Sequence, residues 1–244
     1  MNLPYKTAMQ MINKTPPAPP PAHKTEKETL THTYTNASFE CTDISVQYIE
    51  IPYEKSYFSA LGIKKDTCEM NKIVFTDSVR VGNYRYNGWV VIYKDIRSFN
   101  EEVSCRGIKV YMPNNVRAYK FLGNKKWHHI FGIESLGNYD ANYCFIGAGE
   151  KDTCVLQQVF RCSGICFNSE TYLPNECLLE WIKKLGKKIV ICYDNDAVGK
   201  RYSILLKERL QRYGIKSYIR RVPERYKDVS EMYEKERTVY FERH

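Results

Sequence analysis

Three short apolar runs in the second half of the chain, each followed by polar or acidic residues, constrain the fold most strongly. They lie at 143–147, 164–167 and 188–193, and amphipathic segments separate them. Short apolar runs that alternate with helices predict βαβ units around a buried parallel sheet. In such a sheet the carboxyl ends of the strands form the functional edge. The acidic residues expected at this edge are Glu150, Asp152, Glu170, Asp194 and Asp196.

The charge balance of the chain favours a polyanionic partner. The 244 residues include 37 Lys and Arg against 28 Asp and Glu, which gives a formal net charge of +9. This balance is typical of nucleic-acid-binding proteins, although some basic proteins bind no nucleic acid. A cluster of acidic residues at one sheet edge is therefore unexpected in so basic a chain and indicates a specific chemical role.

The cysteine pattern argues against a zinc site and against disulfides. The nine cysteines form no CxxC pair, and Cys144, Cys166 and Cys192 lie within apolar runs, where a thiol packs as a small hydrophobic group. We therefore expect reduced thiols, a cytoplasmic location and no zinc. Because the chain has no signal-peptide pattern and no run of ~18 apolar residues, we also expect no membrane partner.

The first half of the chain predicts a tail followed by a β-rich region. Residues 1–38 contain the proline-rich stretch 16–22 and are expected to form an extended tether. Within 39–140 we predict a short helix at 54–63 that ends at Gly62, a hairpin in which Asn87-Gly88 joins strands 78–86 and 89–93, and strands at 107–111 and 118–122. Basic residues alternate here with aromatic ones, which suits single-stranded nucleic acid but also an ordinary exposed sheet edge.

The second half predicts three amphipathic helices and a fourth strand at 215–222. Apolar residues at helical spacing mark the buried face of each helix. These residues are Val155, Leu156, Val159 and Phe160 in the first helix, Leu178, Ile182 and Leu185 in the second, and Val198, Tyr202, Leu205, Leu206 and Leu210 in the third. Gly186 and Gly214 are expected to end the second and third helices.

The acidic edge is predicted to hold a divalent cation. Asp194 and Asp196 follow one buried strand, and Asp228 follows the fourth strand. Hard cations prefer carboxylate oxygens, and carboxylates gathered this closely repel one another unless a cation lies among them. An EF-hand calcium loop is excluded because its twelfth position would be Leu205 rather than glutamate. A structural cluster of salt bridges is the alternative to a metal site.

The order of these motifs resembles the TOPRIM domain of primases, topoisomerases and some nucleases, in particular the catalytic core of DnaG-type and phage primases. Residues 148–152 echo the family's glutamate-glycine-x-x-aspartate motif, and 194–196 with Gly199 match its aspartate-x-aspartate motif. Residues 227–231 are similar to the lysine-aspartate-x-x-glutamate segment of phage primases. More faintly, 106–109 and 120–124 resemble the basic strand and the lysine-tyrosine-leucine-asparagine stretch upstream.

The resemblance implies an α/β fold, in which a parallel-sheet TOPRIM domain at 141–235 follows a smaller mixed, β-rich α+β subdomain at 39–140 and precedes a tail at 236–244. It implies synthesis of RNA primers from ribonucleoside triphosphates on single-stranded DNA with Mg²⁺ or Mn²⁺. The implied catalytic residues are Glu150, Asp152, Asp194, Asp196 and Asp228, of which Glu150, Asp194, Asp196 and Asp228 would hold metal. The implied nucleotide-binding or template-binding residues are Lys109, Lys120, Asn124 and Lys227.

The chain departs from the family pattern at one functional position. Ala148 replaces the glutamate that serves as general base, and a methyl group accepts no proton. Our hypothesis is that Glu150 or Glu170 substitutes for it. A TOPRIM nuclease and a non-catalytic nucleic-acid-binding protein are the alternatives. Since we find neither zinc-ligand spacing nor a P-loop, we expect a separate replicative helicase as partner.

Overall fold

A computed structural model of the chain describes residues 46–81, 84–86, 89–95, 106–111, 121–123 and 126–242. The predicted tether at 1–38, the turn Asn87-Gly88 and part of the strand predicted at 118–122 lie outside these residues. Among the candidate site residues, Lys120 and Asn124 lie outside them as well.

Among the described residues, seven strands and two short helices precede the parallel sheet. β1 (Val46–Glu50), β2 (Thr76–Val81) and β3 (Tyr84–Tyr86) form one antiparallel sheet, and α1 (Tyr57–Leu61) and α2 (Lys65–Met70) connect β1 to β2. A second antiparallel sheet has the order β6-β5-β4-β7 and consists of β4 (Trp89–Asp95), β5 (Arg106–Tyr111), β6 (Phe121–Gly123) and β7 (His129–Ile130). Single turns of 3-10 helix occur at Tyr53–Lys55 and Ile133–Gly137.

The hairpin predicted across Asn87-Gly88 is wrong. β3 pairs with β2, with Val81 opposite Tyr84, whereas β4 pairs with β5 and β7 in the other sheet. The two-residue connection is therefore Gly82-Asn83, a dipeptide that also favours a hairpin turn. The predicted strand 78–86 is accordingly two strands. Turn preference shows where the chain reverses, but it does not decide which strands pair.

The short helix predicted before Gly62 is confirmed as α1. The Ser56 hydroxyl caps its first turn by accepting a hydrogen bond from the Ser59 amide at 3.1 Å. Gly62 ends the helix in the left-handed region, with φ at 80°, a conformation that costs glycine little. The strand predicted at 107–111 is confirmed as β5.

The predicted parallel sheet is confirmed in the second half. β8 (Tyr143–Gly147), β9 (Ser163–Ile165), β10 (Lys188–Cys192) and β11 (Ser217–Ile219) lie in the order β11-β10-β8-β9, and every pair is parallel. The helices α3 (Glu150–Phe160), α4 (Glu176–Lys184), α5 (Ala197–Arg212) and α6 (Val229–Glu236) complete the α/β fold. β11 is shorter than the strand predicted at 215–222.

Alternate side chains of the parallel strands form two hydrophobic cores, because successive residues of a strand point to opposite faces. One core joins Phe145 and Cys192 to α3, through Cys154, Val155 and Leu156. The other joins the opposite face to α4 and α5, through Ile146, Ile191, Leu178, Ile182, Leu206 and Leu210. Both cores hold the sheet rigidly beneath its carboxyl edge.

The buried face of α5 differs from its prediction at one end. Val198 is 44% exposed, and the smaller Gly199 and Ser203 are buried in its place, ahead of Leu206 and Leu210. The first turn of α5 lies too close to the end of β10 to accommodate a large side chain. Within the described residues, no helix is long and apolar enough to cross a membrane.

Candidate metal centre

Three carboxylates meet at the carboxyl edge of the parallel sheet. Glu170 follows β9, and Asp194 and Asp196 follow β10. One oxygen from each carboxylate lies within 4.8 Å of the other two. Asp196 is also the N-cap of α5, where its Oδ1 accepts a hydrogen bond from the Gly199 amide at 2.8 Å. The turn into α5 therefore sets the position of this carboxylate.

The donor set of this cluster fits a divalent cation. Glu170 Oε2 is buried and has no hydrogen-bond partner among the described residues. A buried carboxylate oxygen without a partner is unfavourable, and a bound cation would satisfy it. Carboxylate oxygens are the ligands that Mg²⁺ and Mn²⁺ prefer. The acidic residues at this edge therefore form a site that can hold a divalent metal.

The electrostatics of the cluster show how strongly the charges are crowded. Burial, followed by the neighbouring charges of Asp194 and Asp196, raises the pKa of Glu170 to about 7. Burial likewise raises the pKa of Asp194, although Lys227 opposes this shift. A cation among the three oxygens would relieve the repulsion between them.

Lys227 and Asp228 extend the site from the segment after β11. Lys227 Nζ lies 3.1 Å from Asp194 Oδ2 and 4.0 Å from Asp228 Oδ2. Asp228 is the N-cap of α6, and its Oδ1 accepts a hydrogen bond from the Glu231 amide at 2.7 Å. The Lys227 side chain is 62% exposed, so its ammonium group can also reach a ligand in solvent.

Asp152 lies deeper in the same acidic region. Its Oδ1 accepts hydrogen bonds from the Ser230 amide at 2.9 Å and from the Ser230 hydroxyl at 2.6 Å. Burial, followed by the charges of Asp228 and Asp194, raises the pKa of Asp152 to about 7. The carboxylate thus joins α3 to the first turn of α6 and contributes to the negative potential beside the cluster.

Glu150 forms an ion pair with Lys109. It is the first residue of α3 and is buried, and both of its carboxylate oxygens lie 2.7 Å from Lys109 Nζ on β5. Burial raises the pKa of Glu150 to about 7 and lowers that of Lys109 to about 8. Of the two acids considered as substitutes at Ala148, Glu170 lies in the three-carboxylate cluster and Glu150 contacts Lys109.

Three residues of the site were assigned no positioning role from the sequence. Ser230 binds Asp152, and Gly199 allows α5 to approach Asp194. The Asn195 Nδ2 group donates to the carbonyls of Val222, Pro223 and Tyr226 at 3.0, 3.3 and 2.8 Å, and its backbone amide donates to the Lys227 carbonyl at 2.7 Å. The only sequence signal for Asn195 is its place between two aspartates.

The chain is similar to known proteins both in a segment of its sequence and in its fold. The Toprim-like family model matches residues 172–233, which contain Asp194, Asp196 and Asp228. The chain has the fold of solved primase catalytic cores, with a segment at 172–233 that is similar to the Toprim-like family. Solved primase structures share this fold over most of the chain, although their sequence identity to it is low. No curated protein matches the chain in sequence.

Three solved structures illustrate the likeness. The zinc-binding and RNA polymerase domains of the Aquifex aeolicus primase match at 15% identity with a TM-score of 0.58, over 74% of this chain and 52% of that one. A DnaG catalytic domain bound to single-stranded DNA matches at 14% identity with a TM-score of 0.56, over 74% of this chain and 68% of that one. The primase fragment of the bacteriophage T7 primase-helicase matches at 16% identity with a TM-score of 0.50, over 86% of this chain and 78% of that one. The chain thus spans about half the length of the Aquifex chain.

The three-carboxylate cluster lies at the carboxyl edge of the parallel sheet, and the Toprim-like match includes Asp194 and Asp196. Ala148 and Gly149 lie between β8 and α3, at the same carboxyl edge of the sheet. Glu170, which follows the neighbouring strand β9, is part of the cluster.

Proposed function

We propose that the chain is the catalytic core of a DNA primase, which synthesises short RNA primers on single-stranded DNA with Mg²⁺ or Mn²⁺. The observation that carries this proposal is the cluster of Glu170, Asp194 and Asp196 at the carboxyl edge of a TOPRIM sheet in a primase-core fold. The net charge of +9 supports a nucleic-acid template.

Glu170, Asp194 and Asp196 hold the metal in this proposal. A divalent cation bound there would neutralise phosphate oxygens and support attack of a ribose hydroxyl on a nucleoside triphosphate. Asp228 and Asp152 flank the cluster and add to its affinity for cations through their negative charge. Glu170 thereby supplies a carboxylate to the site, which Ala148 cannot.

Lys227 is the residue we assign to the triphosphate. Its ammonium group lies beside Asp194 and is largely exposed, so it can turn toward a phosphate while its backbone stays fixed by Asn195. Lys109 is held by Glu150 and supports the start of α3 from β5. Lys120 and Asn124 remain predicted nucleotide-binding residues. A separate helicase remains the predicted unwinding partner, since the T7 fragment comes from a primase-helicase protein.

A primer-synthesis assay tests the proposal. Wild-type protein, Glu170→Gln and the double variant Asp194→Asn/Asp196→Asn would be incubated with single-stranded DNA, labelled ribonucleotides and Mg²⁺ or Mn²⁺. Glu224→Gln is the matched control, because Glu224 is an exposed glutamate paired with Lys200. We expect short labelled products from wild type and from the control, and loss of at least about a hundredfold in the two site variants, since the metal-binding charge is removed.

The substitution at Ala148 favours a second function, that of a non-catalytic accessory protein that binds nucleic acid. If the wild type binds metal and single-stranded DNA but makes no labelled product under any of these conditions, the accessory function replaces the primase. Degradation of the template without labelled product would indicate a TOPRIM nuclease instead. Products made equally well by Glu170→Gln would remove Glu170 from the site.

A further inference from the structure

The edge strand β11 presents a row of exposed side chains away from α5. Along the strand, Ser217 is buried and Ile219 is half-buried against the core beneath α5, while Lys216, Tyr218 and Arg220 are exposed. This alternation is the period of a strand with one covered face and one open face. Tyr218 is 44% exposed, which is high for a tyrosine within a sheet.

The register of the sheet places a further cation on the same face, which is exposed along β11 and half-buried at Val190 of β10, where it packs against the core of α3. Tyr218 is paired with Val190 of β10, and paired residues of neighbouring strands share a face. Lys188 lies two residues before Val190 and is also exposed, and the Ile189 amide next to it donates to the Lys216 carbonyl at 2.9 Å. We call Lys188, Lys216, Tyr218 and Arg220 the β11 strip.

The charges of the β11 strip are available to a ligand. Within the described part of the chain, Lys188, Lys216 and Arg220 take part in no ion pair, whereas Lys200 and Lys227 each lie within 3.1 Å of a carboxylate. Among the described residues, the hydrogen bond of the Arg220 guanidinium is to the carbonyl of its neighbour Ile219, at 3.4 Å. Three unneutralised cations around one exposed aromatic ring create a local positive potential.

We propose that the β11 strip binds single-stranded nucleic acid outside the metal centre. The Tyr218 ring stacks on a base, and Lys188, Lys216 and Arg220 neutralise the flanking phosphates. Arg220 ends the strip at the carboxyl edge, where its amide donates to the Ile191 carbonyl at 2.9 Å. The Arg220 end of the strip therefore lies at the sheet edge that carries Asp194, and a nucleic-acid strand leaving the metal centre can continue along the strip.

The chemistry of the strip favours nucleic acid over a protein partner. The cores of protein interfaces are depleted in lysine and enriched in apolar groups, whereas this surface has three cations and a single large ring. The choice of single-stranded DNA as ligand rests on the proposed function. The position of the contact rests on the register and exposure of β10 and β11.

Binding of labelled oligothymidylate, measured by fluorescence anisotropy in EDTA at several salt concentrations, tests the strip without catalysis. The variants are Tyr218→Ala, Tyr218→Phe and the double variant Lys216→Gln/Arg220→Gln. The matched control is Lys184→Gln/Arg212→Gln, which removes one exposed lysine and one exposed arginine from α4 and α5.

We expect the Lys216/Arg220 double variant to reduce the slope of log affinity against log salt by about 1.4, because each single-strand phosphate contact contributes about 0.7. Tyr218→Ala is expected to bind on the order of tenfold more weakly with little change of slope, and Tyr218→Phe to bind as the wild type does, because stacking needs the ring and not the hydroxyl. The control should change neither affinity nor slope beyond the effect of bulk charge.

Several results would overturn the inference. These are wild-type affinity and slope in the Lys216/Arg220 double variant, an equal loss in the control, or a Tyr218→Phe variant as weak as Tyr218→Ala. Acetylation of the wild type, measured by mass spectrometry, tests the inference without any variant. Bound DNA should protect Lys188 and Lys216 from acetylation, and a lack of protection would contradict the inference. A wild type that binds no single-stranded DNA would remove the proposed function, whereas DNA binding that ignores the strip removes this inference alone.

Discussion

Gly199 lies so close to Asp194 that a Cβ atom at position 199 would stand 2.2 Å from the Asp194 carbonyl oxygen and 2.8 Å from its amide nitrogen. The neighbouring group is backbone, so no side-chain rotation relieves the overlap. The glycine lets the first turn of α5 rest against the end of β10. In that position, Asp196 caps the helix and Asp194 faces Glu170.

The variant Gly199→Ala is expected to displace Asp194 and to weaken metal binding while the fold persists. The overlap should lower the free energy of unfolding by about 1–3 kcal/mol, as overpacking does elsewhere. Isothermal titration with Mn²⁺ would show a loss of affinity of roughly tenfold or more, because one of three ligands has moved. Gly137→Ala is the matched control, since a Cβ there meets nothing within 4 Å. Unchanged Mn²⁺ affinity in Gly199→Ala would show that Asp194 is not a ligand.

Replacement of Asn195 by alanine is expected to loosen the segment that carries Lys227 and Asp228. The variant deprives three carbonyls, those of Val222, Pro223 and Tyr226, of their donor. Loss of these partly buried hydrogen bonds is expected to cost about 1–2 kcal/mol, which urea denaturation would measure. Asn138→Ala is the control, because Asn138 donates to one carbonyl, that of Glu134, at an exposed position.

A double-mutant cycle separates positioning by Asn195 from general destabilisation. If Asn195 acts through Lys227, the loss of primer synthesis caused by Asn195→Ala should be several-fold smaller when Lys227 is already methionine. Equal losses in both backgrounds would assign Asn195 a role in stability alone.

The sequence was sufficient for the elements whose signal is local. Buried strands β8 and β10 and the helices between them follow from apolar periodicity, and Gly62 marks the end of α1 through its left-handed conformation. Periodicity failed at Val198, because the space beneath the first turn of α5 depends on the position of the β10 end. The hairpin at Asn87-Gly88 failed because strand pairing depends on the sheet as a whole and not on a dipeptide.

The sequence predicted the location of the candidate site at the carboxyl edge of the sheet, but not the contacts between its side chains. Parallel topology brings Glu170 beside Asp194, although 24 positions separate them in the sequence. Whether Glu150 or Glu170 enters the cluster depends on Lys109, which reaches Glu150 from β5, 41 residues upstream. No local pattern connects those two side chains. The ion pair becomes visible only when the second antiparallel sheet is placed against α3.

Removal of the Lys227 charge is expected to raise the metal affinity of the free protein and to lower activity. The ammonium group lies 3.1 Å from Asp194 and repels a cation bound to the same carboxylate. Lys227→Met should therefore bind Mn²⁺ about fivefold more tightly, which corresponds to about 1 kcal/mol for a partly exposed pair. Primer synthesis should fall, because the contact proposed to the triphosphate is lost. Lys65→Met, which breaks an exposed ion pair in α2, is the control. Weaker Mn²⁺ binding by Lys227→Met would reverse the electrostatic argument.

The raised pKa of Glu170 predicts how stability depends on pH in the absence of metal. Burial, with the charges of Asp194 and Asp196, raises this pKa from 4.5 to about 7, so between these values the folded protein holds a proton that the unfolded chain has released. A group whose pKa is raised by folding stabilises the protein below its unfolded pKa, and that stabilisation is lost as the pH rises through its folded pKa. In EDTA, the free energy of unfolding of the wild type should therefore fall relative to that of Glu170→Gln as the pH rises from 4.5 to 7.

Urea denaturation at several pH values measures this difference, and addition of Mn²⁺ at the upper end of the range completes the test. The cation should restore more stability to the wild type than to Glu170→Gln, because it binds the ionised form of the carboxylate. Glu224→Gln, which changes an exposed glutamate, should follow the wild type at every pH. A constant difference between wild type and Glu170→Gln over the whole range would mean that Glu170 has an ordinary pKa. The carboxylates of the cluster would then not be crowded in solution.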